Sequence, residues 1–102
     1  MGIFDQNVDP MSSKSPPPFT EKQGQYLAFI HTYTLLNRQP PAEADIQRFF
    51  GVTPPAVHDM ILALERRGLI SRVPRQPRSI KLLVPAADLP QLQSIEITVA
   101  RY

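Results

Sequence analysis

Residues 41–70 read PAEADIQRFFGVTPPAVHDMILALERRGLI, and the punctuation of this stretch decides the fold. Pro41 suits the first turn of a helix, where a missing N–H costs nothing, and Glu43 and Asp45 fall at that helix's positive end. Ile46, Phe49 and Phe50 make one apolar face, and Gly51 stops the helix. Val52-Thr53 is a tight turn. Thr53 is a good N-cap, followed by Pro54-Pro55 where absent N–H groups are tolerated. A longer helix is predicted from about Pro54 to Arg67, with Val57, Met60, Ile61 and Leu64 pointing inward and Gly68 as its left-handed terminator.

Upstream, Thr20 and Gln23 have the spacing of a capping box. Tyr26, Leu27, Phe29, Ile30, Tyr33 and Leu36 then form one apolar stripe, and the helix ends near Asn37 because Pro40-Pro41 forbids its continuation. Downstream of Gly68 the period changes from 3.6 to 2. Leu69–Val73 and Ser79–Val84 read as antiparallel strands joined by Pro74, Arg75, Gln76, Pro77 and Arg78. Pro85 and Pro90 bracket a linker, and Ile95–Val99 alternates once more as a short strand. Residues 1–18 have no periodicity, and Pro16-Pro17-Pro18 enforces extended geometry, so this segment reads as a disordered arm. Residues 19–85 are the folded domain, and 86–102 a linker with a C-terminal strand. Helix, short helix, three-residue turn, longer helix and hairpin is the order of a winged helix-turn-helix, mainly α with a small antiparallel sheet.

The composition removes several function classes. The 102 residues suffice for one domain. The lack of cysteine excludes disulfides, cysteine–zinc sites and thiol catalysis. No signal peptide or apolar run long enough to span a membrane is visible, so a cytoplasmic protein is expected. His31 and His58 fall on different helices, no glycine-rich loop could cradle a phosphate, and no histidine–carboxylate cluster has ligand spacing. The expectation is a protein that is not an enzyme and holds no cofactor or metal.

Charge is unevenly placed. Residues 1–65 carry a net of −3, whereas residues 66–81 hold Arg66, Arg67, Arg72, Arg75, Arg78 and Lys81 with no acid. Such a block at the end of the longer helix and on the wing suits an anionic polymer, with Arg66, Arg72, Arg75, Arg78 and Lys81 as phosphate contacts. Base contacts would come from the outer side of that helix. His58 can donate to purine acceptors, Asp59 can accept from cytosine, and Thr53 or Ala56 can touch a thymine methyl. Each also has a plainer role: Thr53 as a cap, Asp59 orienting a neighbour, His58 facing solvent. The competing function is a winged helix that docks a protein, its arginines meeting acidic side chains.

From Phe19 to Val84 the chain resembles the N-terminal DNA-binding domain of LexA repressors. The match runs through Thr20 and Gln23, Pro40-Pro41, Ala44-Asp45-Ile46, Gly51 and Pro54, then Ala63-Leu64-Glu65-Arg66-Arg67-Gly68, Leu69-Ile70 and Arg78-Ser79-Ile80-Lys81-Leu82. The resemblance implies sequence-specific binding of double-stranded DNA and a role in bacterial transcription regulation. It also implies base reading by Thr53, Pro55, Ala56, His58 and Asp59, with the wing on the backbone. Three features depart from the family pattern: a turn one residue shorter after Gly51, Pro55 in place of a base-reading asparagine, and His58 in place of a glutamate. The family's operator therefore does not carry over. The chain has no Ala-Gly dipeptide of the kind LexA repressors cleave, so the expectation is a small stand-alone regulator, similar also to MarR-like proteins, without the peptidase domain. A homodimer on two half-sites is expected, held by the first helix, Leu62 or, preferably, the strand Ile95–Val99.

Overall fold

A computed structural model describes residues 18–93. The N-terminal segment up to residue 17 and the strand expected at Ile95–Val99 lie outside the described residues. Helix α1 spans Glu21–Asn37. Its start is the capping box read from the sequence: Gln23 N–H donates to Thr20 Oγ1 at 3.1 Å, and Thr20 N–H donates to Gln23 Oε1 at 3.0 Å. Arg38 ends it in the left-handed region, with φ 60°.

Helix α2 spans Glu43–Phe50, which corrects the place of Pro41. Pro41 is buried ahead of the helix, and the N-cap is Ala42. Alanine has no side-chain oxygen to offer, so the cap is made in reverse: Asp45 Oδ2 accepts from Ala42 N–H at 2.9 Å. Gly51 closes α2 at φ 66°, a backbone angle that would strain any L side chain. Helix α3 spans Pro54–Arg66, with Thr53 Oγ1 accepting from Ala56 N–H at 3.3 Å.

The three helices share one core. Leu27, Ile46, Val57, Ile61 and Leu64 have no exposed surface, and each such aliphatic side chain stabilises the fold by roughly 1.5–3 kcal/mol. Aromatic stacking joins α1 to α2: Tyr26 lies on Phe50 at 4.2 Å and Phe29 on Phe49 at 4.6 Å between ring centroids. Met60 is only partly buried. The stripe of α1 ends at Tyr33; Leu36, expected to be inside, is exposed because the helix has by then run past the core.

The wing is shorter than its alternation suggested. Strand β1 is Ile70–Ser71 and β2 is Lys81–Leu82, antiparallel, with Ile70 opposite Leu82 and Ser71 opposite Lys81. A side chain takes over from the ladder. Val73 N–H donates to Ser79 Oγ at 2.9 Å, and that hydroxyl faces the Gln76 and Val73 carbonyls at 2.8 and 3.1 Å. Beyond β2, the segment expected to be a linker makes a 3₁₀ turn at Ala86–Asp88 and returns to α1. Leu89 and Leu92 pack on the core, and Gln25 bonds the backbone of Gln91 and Gln93 at 3.0 and 2.8 Å. No helix among the described residues is long and apolar enough to cross a membrane.

Candidate nucleic-acid interface

Pro55, Asp59, Leu62 and Arg66 are separated by four, three and four residues and so line one side of α3. Pro55, Asp59 and Arg66 are exposed and Leu62 is half-buried. Thr53 and Ala56 are exposed at the start of the same helix. His58, half-exposed, sits at the border with the wing. It opens on a cleft of about 490 Å³ lined by Glu43 and Ala44 of α2, His58 of α3, and Arg72, Arg75 and Gln76 of the wing. His58 Nδ1 lies 3.3 Å from Glu43 Oε2, so the imidazole is held across the top of the helix pair. All five predicted base-reading residues are exposed on α3 or at its start; of these, His58 lines the cleft shared with the wing.

The five predicted phosphate contacts do not share one environment. Arg66 and Arg75 are exposed. Arg75 sits at the wing tip, third residue of a turn closed by Gln76 N–H donating to Val73 O at 3.1 Å. Pro74 before it and a φ of 68° at Arg75 give the turn its type II geometry. Arg72 is turned back onto α3, its Nε donating to Glu65 Oε1 at 3.1 Å with 18% of the side chain exposed. Arg78 is laid against α1 and α2 with 39% of its side chain still exposed: Nη1 donates to Tyr33 Oη and Pro40 O, both at 3.1 Å, and pairs with Asp45 Oδ2 at 3.0 Å. Lys81 is exposed on the other flank of the wing, beside α1 rather than α3.

Asp45 feels several opposing influences. Burial alone would raise its pKa, yet the Ala42 N–H, the Arg78 charge and the Tyr33 hydroxyl outweigh it, and the net effect is a carboxylate held below its usual range. Asp45, Glu65 and Tyr33 therefore carry structural roles toward the wing that their sequence positions did not announce. For Asp45 a partial signal existed, an acid three residues after the cap position.

The LexA DNA binding domain family matches residues 17–79, which take in all three helices and the wing as far as Ser79. The chain belongs to the LexA DNA-binding domain family. Residues of this chain are 42% identical over 64 positions to the LexA repressor of Thermosipho melanesiensis, covering 63% of this chain and 32% of that one. The LexA repressor of Bacillus subtilis is 32% identical over 81 residues, covering 78% and 40%, and that of Methylococcus capsulatus 36% over 72, covering 70% and 36%. The chain thus spans about a third of the length of the curated relatives it matches. Family membership agrees with the observed winged architecture. Pro55 and His58 both lie on the exposed side of α3, where a change alters the surface offered to a ligand and leaves the core intact.

Proposed function

We propose that this chain binds double-stranded DNA in a sequence-specific manner and regulates transcription in the bacterial cytoplasm, by binding and without catalysis. The observation that carries this reading is an exposed α3 face set beside a cationic wing tip in a LexA-family domain. Helix α3 enters the major groove, and Thr53, Pro55, Ala56, His58 and Asp59 meet base edges. Arg66 and Arg75 take phosphates next to the groove, and Lys81, on the flank of the wing beside α1, stands apart from them. Arg72 and Arg78 serve the same contact indirectly, because their pairs with Glu65 and Asp45 fix the wing against the helices. A single domain of this size reads few bases, so the chain acts as a homodimer on two half-sites.

The test is duplex affinity as a function of salt. The expected result is binding to random-sequence duplex at low salt that weakens linearly in log–log form with added salt. A chain that ignores duplex DNA at low salt while retaining its fold is a protein-docking winged helix, and the proposal fails.

A further inference from the structure

Between the C-terminal half of α1 and the outer edge of β2 lies a cleft of about 380 Å³. Its lining is mostly apolar: Ile30, Thr34 and Leu35 from the helix, Pro40 at one end, Ile80 just before the strand and Leu82 within it. Leu35 stands 66% exposed on the rim. The backbone of β2 is only half used. Lys81 pairs with Ser71, and Leu83 N–H donates to Leu69 O at 2.9 Å. By antiparallel alternation the N–H and C=O groups of Leu82 then point the other way, toward the cleft, which Ile80, next before β2, also lines. Among the described residues, no backbone group pairs with them there. An open strand edge beside an apolar cleft is shaped to take one more strand.

We infer that residues 95–99 of a second copy fill this cleft as that strand, each copy giving its segment to the other; the inference rests on the dimeric reading above and supplies its contact surface. Ile95, Ile97 and Val99 alternate with Glu96 and Thr98. Antiparallel pairing of Ile95 with Leu82 and of Ile97 with Ile80 turns both isoleucines to the core side. The same register sets Glu96 directly opposite the exposed Lys81, and facing opposite charges stabilise a strand pair. A slip of one residue turns the isoleucines to solvent and separates the charges.

A chain's own segment is poorly placed for its own cleft. Pro90 passes beside Gly24, and the backbone then bonds Gln25 through Gln91 and Gln93. At roughly 100° per residue, Gln25 lies on the side of α1 turned away from Ile30 and Thr34. The chain leaves Gln93 across the helix from its own cleft, whereas twofold exchange delivers a segment to each.

The experiment uses two full-length variants, Lys81→Glu and Glu96→Lys, and sedimentation of the protein alone. Wild type is expected to sediment as a dimer and each variant as a monomer, since each faces like charges in both clefts. An equimolar mixture of the two is expected to sediment as a dimer again, because every cleft in the mixed pair then joins opposite charges. Recovery on mixing also shows that both variants are folded. A mixture that stays monomeric means the segment docks within its own chain; variants that remain dimeric place the contact elsewhere; a monomeric wild type removes the dimer. Each of these overturns the inference. With no duplex present, these outcomes read assembly alone and leave the DNA-binding proposal to its own salt titration.

Discussion

Arg78 Nη1 on the wing lies 3.0 Å from Asp45 Oδ2, the same oxygen that accepts the Ala42 N–H at the start of α2. One carboxylate therefore caps a helix and anchors the wing. Replacing Asp45 with alanine removes both functions. A lost cap of this kind costs about 1–2 kcal/mol, and in a domain of this size that lowers Tm by roughly 5–15 °C. Thermal unfolding followed by circular dichroism is the check; an unchanged Tm would detach the wing from this contact.

The same carboxylate sets an acid limit. Its pKa in the fold is below the ordinary value of 3.8, so the folded state binds that proton less well than the unfolded chain. The stability it contributes is fully present above the ordinary value and is lost as pH falls through it to the depressed one. In denaturant titrations, the stability gap between wild type and Asp45→Asn should shrink on going from pH 6 to pH 3. A gap independent of pH would contradict the assignment.

Arg75 separates charge from scaffold. It holds a left-handed backbone at the wing tip, a conformation glycine adopts without strain. Arg75→Gly should therefore retain stability to within about 1 kcal/mol. It should also flatten the plot of log K against log salt by about 0.9, the share of one phosphate contact. Arg78→Ala should do the opposite, lowering Tm with a smaller change in salt slope. Parallel titrations of the two variants on one duplex decide between them.

His58 is expected to act on specificity. His58→Ala should leave the salt slope nearly intact and reduce discrimination at one base pair by on the order of 1–3 kcal/mol. Glu43, 3.3 Å from Nδ1, orients the ring, so Glu43→Gln should weaken the same discrimination without shifting it to another position. Competition with single-base-pair variants of the preferred duplex reads both.

The parts of this fold legible in the sequence are those fixed within a few residues. The Thr20–Gln23 box, the Thr53 cap, and the stops at Gly51 and Gly68 are local chemistry, and the structure keeps each of them. Alternation overstated the strands because it cannot see Ser79 replacing ladder bonds with its hydroxyl. The cationic block likewise reads as one surface in sequence. Only the fold shows that Arg78 meets Asp45 and Arg72 meets Glu65, while Arg66 and Arg75 stay in solvent. Long-range partners of this sort leave no periodic trace.

Selection of bound duplexes from a random pool tests the central claim most directly, because it reads binding, specificity and site symmetry together. Enrichment of one short motif repeated with twofold symmetry is expected, its half-sites spaced by about one helical turn, 10–10.5 base pairs, or a multiple of it. A pool that emerges with no enriched sequence, from protein that is folded and retained on DNA, would contradict sequence reading by α3.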